Sequence, residues 1–276
     1  ARHAMPTTPV GDPAAIDAIA EMLVAADSPL LIAGSLGRDR GAIDALIKLA
    51  GSVGARVATG PTRMGFPTDD PHWSGASAES LIPDADAILV VDSDVPWIPS
   101  KAQPAPGARI ARIDIDTIKE SIPMWSFPSD IVVHADSAKA LPALVEAVGR
   151  ISDADQTRGA RERTSSLVAD HTARIRRLEA EDRGFADTNP ITPEWLVRCI
   201  AETLPSDAII LEETVTNRPR VHDVLPRTLA GEFLVSAGAS LGWALGAAVG
   251  VRLATPERTI VTLVGMIASP VVTALF

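Results

Sequence analysis

Residues 236–265 read SAGASLGWALGAAVGVRLATPERTIVTLVG. A turn of small residues, Ser236–Ser240, leads into Leu241–Ala254, where Leu, Trp, Val and Ala recur among glycines as they do on a closely packed helix. Pro256-Glu257-Arg258 then marks a turn, and Arg258–Val264 is a β-branched apolar run that stops at Gly265. Turn, helix, turn and strand in this order belong to an α/β domain with a parallel sheet. A membrane reading competes, because Leu234–Val251 is uncharged and just long enough to span. Gly, Ala and Ser dominate that segment, and it opens as strand and turn, so a buried helix is expected and no membrane partner.

The same pattern extends upstream. Thr192-Pro193-Glu194 is a helix start, with Thr192 as cap and Pro193 at the first position, and the helix should run to about Thr203. Asp207–Leu211 reads as a strand that ends in Glu212-Glu213-Thr214-Val215-Thr216, and Gly231–Ser236 reads as another. Polar residues at the carboxyl end of a parallel strand stand where open sheets place ligands. The Gly-rich turn would let a ligand approach the backbone, with the helix N-terminus available to an anion. A tight strand-to-helix turn with close packing would look the same.

The first half alternates in the same way. Strands are expected at Pro29–Ala33, Ala55–Ala58, Ala87–Val91, Arg109–Ile115 and Ile131–His134, with helices at Ala42–Val53 and Ser137–Val148. Between Arg150 and Asn189 charges become dense and apolar residues thin out, which predicts a solvated helical linker. The division is therefore 1–27 for an entry segment and first helix, 28–150 for one α/β domain, 151–190 for the linker and 191–276 for a second domain.

Composition excludes several classes. Hydrophobic residues make up 46% and charged residues 22%, the balance of a chain that can bury a core. A net charge of −10 without a basic patch argues against nucleic acid. The lone Cys199 forbids an internal disulfide and reads as a small buried hydrophobe, and a cytoplasmic location is expected. The five histidines show no ligand spacing, so zinc is not expected.

The Gly-rich turn, Ala/Gly helix, Pro-Glu-Arg turn and strand of Gly238–Gly265 together resemble the diphosphate-binding domain of thiamine-diphosphate-dependent enzymes of the acetolactate synthase and benzoylformate decarboxylase group. Asp92–Pro99 (DSDVPWIP), Ile113–Asp116 (IDID) and Phe66-Pro67-Thr68-Asp69 are similar to that family's central domain. The resemblance implies two doubly wound parallel-sheet domains, a central one and an incomplete thiamine-diphosphate-binding one, joined by the charged helical linker. It implies a thiamine-diphosphate- and Mg-dependent lyase, decarboxylase or transferase acting beside the carbonyl of a 2-oxo acid or related acyl substrate, assembled as a homodimer or homotetramer.

By the same resemblance Leu241 would prop thiamine in its bent conformation. The carbonyl of Ala239 and the amide of Leu241 would face the aminopyrimidine, with Gly238 and Ser240 in the same turn and Gly265 at the end of the last strand. Thr214, Val215 and Thr216 would lie near the diphosphate. The family pattern continues after Gly265 with Asp-Gly-Ser and a metal-binding Asn, whereas Met266-Ile267-Ala268-Ser269-Pro270 stands here. No residue matches the metal-binding Asp and Asn or the family's catalytic glutamate, so the sequence is expected to hold ordered parts of a longer protein. The other reading is a catalytically inactive member that binds a nucleotide or acts as a scaffold. Central domains of this family hold FAD, ADP or nothing; Gly34-Ser35-Leu36-Gly37 resembles half of a dinucleotide fingerprint, and Asp114 or Asp116 could meet a ribose.

Overall fold

A computed structural model describes residues 7–60, 64–122, 125–236 and 241–265. Asp12 accepts the Ala14 amide and starts α1 (Pro13–Val24), whose buried Ile16, Ile19 and Leu23 lie on one stripe. The chain then enters β1 (Pro29–Ala33), α2 (Arg40–Val53), β2 (Arg56–Thr59) and the three-residue strand β3 (Trp73–Gly75). β4 (Ala87–Val91), β5 (Arg109–Asp114), β6 (Ile131–His134) and α3 (Ser137–Ile151) follow. The six strands form one sheet in the order β3-β2-β1-β4-β5-β6. Every pairing in it is parallel, with Ala33 opposite both Thr59 and Val91. The winding direction reverses between β1 and β4, which creates a switch point at their carboxyl ends.

β1 and β4 are buried at all five positions, as the unbroken apolar runs Pro29–Ala33 and Ala87–Val91 require. Leu31, Ala33, Leu89 and Val91 face a core shared with α1, α2 and α3. Leu30, Ile32, Ile88 and Val90 face the opposite core, which contains Ile82, Trp97 and Ala102 and packs on Phe127. The first face is covered by amphipathic helices. The second is closed by irregular chain and a short 3₁₀ turn at Ile82–Asp84. Trp97 meets Phe127 edge-on at 5.0 Å and closes that layer without a helix.

The charge-dense segment is the 30-residue helix α4 (Ala154–Arg183), opened by a capping box between Asp153 and Gln156. Most of it is exposed, yet Ala160, His171, Leu178 and Asp182 are buried. Arg163 donates to the Val53 carbonyl at the end of α2. The helix is therefore docked along part of one face as well as solvated.

After a cis Asn189–Pro190 bond, Thr192 caps α5 (Pro193–Thr203) through the Trp195 amide. Cys199 in this helix is half-buried. β7 (Ile209–Glu213), α6 (Arg218–Val224), β8 (Phe233–Val235), α7 (Trp243–Ala254) and β9 (Ile260–Val264) complete the chain. These strands make a second parallel sheet, β8-β7-β9, in which Glu213 stands opposite Val264. Ile209 and Leu211 face α7 through Ala244, while Ile210 and Phe233 join Val197, Val221 and Leu225 on the other side. Among the described residues no helix is long and apolar enough to cross a membrane.

Candidate functional site

β7 is the middle strand of its sheet, and its last two residues are consecutive buried glutamates. Alternation along a strand sends their side chains to opposite faces. Glu212 is fully buried and accepts the Thr214 amide at 2.6 Å and the Thr214 hydroxyl on Oε1, while Arg218 Nε donates to Oε2 at 2.8 Å. Glu213 accepts the Gly242 amide on Oε1 and the Ala244 amide at 2.7 Å on Oε2. A buried carboxylate is costly unless hydrogen-bonded, and each of these two is matched on both oxygens.

Those contacts gather three segments at the carboxyl ends of β7 and β9. Thr214–Thr216 turns away from β7, with Val215 in the left-handed region at φ 49°. That conformation is strained for a β-branched residue, and its side chain is exposed. Gly265 donates its amide to the Glu213 carbonyl at 3.1 Å, and a Cβ there would lie 3.3 Å from the Thr214 carbonyl oxygen. Leu241 precedes the Glu213-bound Gly242 and is 54% exposed, so a large apolar side chain stands uncovered at the sheet's edge. Of the residues marked by sequence, Thr214, Val215, Thr216, Leu241 and Gly265 thus lie on segments that meet here. Gly238, Ala239 and Ser240 lie outside the described residues.

One expectation needs correcting. The N-terminus of α7 was read as open to an anionic group, but Glu213 already accepts two of the amides there, those of Gly242 and Ala244. The sequence signal for this was the absence of a Ser, Thr, Asp or Asn at the helix start, where Gly242 stands with no side chain to cap it. Two acids ending a buried strand were the other half of the signal.

The switch point of the large sheet holds a second candidate, a cleft of about 330 Å³ lined by Ser35, Arg38, Asp39, Asp92, Asp136 and Ser137. Asp39 and Asp136 accept the Ala42 and Ala138 amides and so cap α2 and α3 with their own carboxylates. Asp92 is in the left-handed region at φ 48° and accepts the Ser137 hydroxyl at 2.5 Å. Burial raises its pKa, a shift that the Ser137 hydrogen bond opposes. Gly34 is required here for packing, since a Cβ would fall 2.0 Å from the Asp92 carbonyl oxygen.

Three carboxylates and two capped helix ends do not suit a phosphate. The proposed ribose partners are committed as well. Asp114 accepts the Asp116 amide at 2.8 Å and pairs with Lys119 at 2.8 Å, and Asp116 accepts the Lys119 amide at 3.0 Å. Among the described residues no group of three or more His, Cys, Asp or Glu could hold a metal ion.

Comparison with known proteins adds to this geometry. Residues 16–144 match the family model for the thiamine pyrophosphate enzyme central domain. The chain is 28% identical over 259 residues to a protein of Pseudomonas aeruginosa described as a probable 2-ketoarginine decarboxylase, covering 91% of this chain and 43% of that one. It is 27% identical to the benzoylformate decarboxylase of the same organism, covering 92% and 46%. Among solved structures, benzoylformate decarboxylase from Polynucleobacter necessarius superposes with a TM-score of 0.70 at 22% identity, over 98% of this chain and 49% of that one. The chain spans less than half the length of the curated relatives named here.

Proposed function

We propose that this chain, whose residues 16–144 match the family model for the thiamine pyrophosphate enzyme central domain, binds thiamine diphosphate at its second sheet and serves decarboxylation or carboligation of a 2-oxo acid. The observation that carries this reading is the meeting of Thr214–Thr216, Leu241 and Gly265 where β7 and β9 end, in a chain whose relatives match it through both halves. The division into entry segment, central domain, linker and diphosphate-binding domain is proposed with it.

Leu241 would lie under the bound thiamine, where its exposed side chain gains a partner. The exposed Thr216 and the strained Val215 turn would line the diphosphate. The Thr214 hydroxyl is held by Glu212 and would contribute shape rather than a free donor. Bound there, the cofactor would supply a nucleophilic ring carbon and an electron sink beside the substrate carbonyl. These residues fit the thiamine end. They do not supply the metal end, since no described cluster fits a cation and the family's Asp and Asn positions follow Gly265. Mg²⁺ dependence and a subunit-shared site in a homodimer or homotetramer are proposals that rest on the resemblance alone.

Thermal melting with thiamine diphosphate and Mg²⁺ tests the reading. A binder should gain melting temperature with cofactor concentration, by an amount that follows mass action. Turnover of pyruvate, benzoylformate or 2-ketoarginine would then identify the acyl class. No shift at millimolar cofactor would favour the scaffolding alternative.

A further inference from the structure

We propose that Glu213 is a positioning residue, which sets the Leu241 turn in its binding geometry before any ligand arrives. The proposal rests on the thiamine diphosphate reading and extends it to a residue that touches no ligand. Glu213 is 3% exposed and reaches across 29 and 31 positions to the Gly242 and Ala244 amides. Its own carbonyl accepts the Gly265 amide. One residue therefore ties the end of β7, the end of β9 and the first turn of α7 together.

An ordinary helix cap is the residue next to the helix and fixes only the helix's own entry. Here the cap position is Gly242 itself, at φ 85° and without a side chain. The turn would be free to swing without the long-range carboxylate, because Leu241 is 54% exposed and Gly242 has no side chain to anchor it. A binding turn that must be ordered at the moment of binding loses affinity by the cost of ordering it. Glu213 meets that cost during folding, with an ionised acceptor on two amides and the favourable end of the helix dipole.

Glu213→Gln is the discriminating variant. It keeps the side-chain volume but offers one oxygen, and turns an N–H₂ group toward the second backbone donor. In the cofactor-free protein, amide exchange at Gly242 and Ala244 should accelerate at least tenfold, while the amides of Ile209 and Ile210 stay protected. Thiamine diphosphate affinity at saturating Mg²⁺ should fall at least tenfold, and Glu213→Asp should recover part of it. A Glu213→Gln variant that binds the cofactor within twofold of wild type overturns the proposal while leaving the cofactor reading intact. A wild-type protein that never binds thiamine diphosphate removes the cofactor reading and this extension with it. The wild-type exchange rates decide the geometry without any substitution: if both amides exchange freely, Glu213 does not hold the turn, even where Glu213→Gln fails to fold.

Discussion

Thr68 and Arg227, 159 positions apart, bind each other twice. The Thr68 amide donates to the Arg227 carbonyl at 3.1 Å, and the Arg227 amide donates to the Thr68 hydroxyl at 3.1 Å. Both residues are buried, and the pair fastens the loop after β2 to the loop before β8. Above it, Trp73 receives the Arg174 guanidinium at 4.5 Å and that of Arg227 at 5.6 Å. Burial pushes the Arg227 pKa down to about 10, with Asp223 and Glu212 opposing. The guanidinium therefore stays charged at neutral pH, held between aromatic faces.

Thr68→Val keeps the shape of the side chain and removes the acceptor. The Arg227 amide is then buried without a partner, at a cost of about 1–3 kcal/mol. The midpoint of urea unfolding should fall with an unchanged slope, and Thr68→Ser should stay near wild type. Equal midpoints for Val and Ser would mean that the hydroxyl contributes nothing there.

His222 sets an acid limit. It is 2% exposed, packs edge-on to Phe233 at 5.2 Å, and its pKa is lowered to about 3 by burial first and then by Arg227 and Arg218. Its folded pKa lies below the unfolded value near 6.5, so the unfolded state takes up a proton that the folded state refuses. The stability tied to His222 is present above pH 6.5 and is lost as the pH falls toward 3, by about 1.4 kcal/mol per pH unit. His222→Phe should flatten the difference between unfolding free energies measured at pH 7 and pH 5. If wild type and variant lose the same stability over that interval, His222 is not the group responsible.

Much of this architecture was legible because its signals are local. Ala87–Val91 and Ile131–His134 are strands with the bounds that their apolar runs set, and Thr192-Pro193 begins α5 as a cap followed by proline should. The helix α2 starts two residues before its expected start and α3 runs three residues past its expected end, as the terminal turns add little to the apolar stripe. β3 has only three residues, too few to show alternation, and α6 is a seven-residue helix inside a Pro- and Arg-rich stretch that reads as loop. Glu212 and Glu213 were visible as acids at a strand end. Their partners were not, since Arg218 lies beyond a turn and Gly242 and Ala244 are brought in by the sheet. Long-range pairing of this kind leaves no periodic trace.

The cleft at the large sheet's switch point should refuse nucleotides. Its helix ends are capped by Asp39 and Asp136, and Asp92 adds a third carboxyl group. ADP, FAD and NADP at 1 mM should each leave the melting temperature unchanged. Removing charge should change little by itself, because Asp136→Asn still caps α3. A reproducible rise with ADP would restore the nucleotide-binding reading.

Asp182 is a buried charge whose loss should be costly. It is fully buried at the end of α4, where Arg198 of α5 donates to it at 2.9 Å and Arg220 of α6 pairs with its other oxygen. Both arginines are largely buried too, so the one carboxylate is shared between two positive charges that water cannot reach well. A buried pair contributes little net stability against an apolar replacement, but breaking one by removing a single partner costs about 3–5 kcal/mol. Asp182→Asn keeps the shape and should lower the unfolding free energy by that order, with α4, α5 and α6 losing amide protection together. Replacing all three residues with apolar ones of similar size should recover most of the loss. If Asp182→Asn alone unfolds no more easily than wild type, the three helices are held by their apolar contacts and the ion cluster only fits between them.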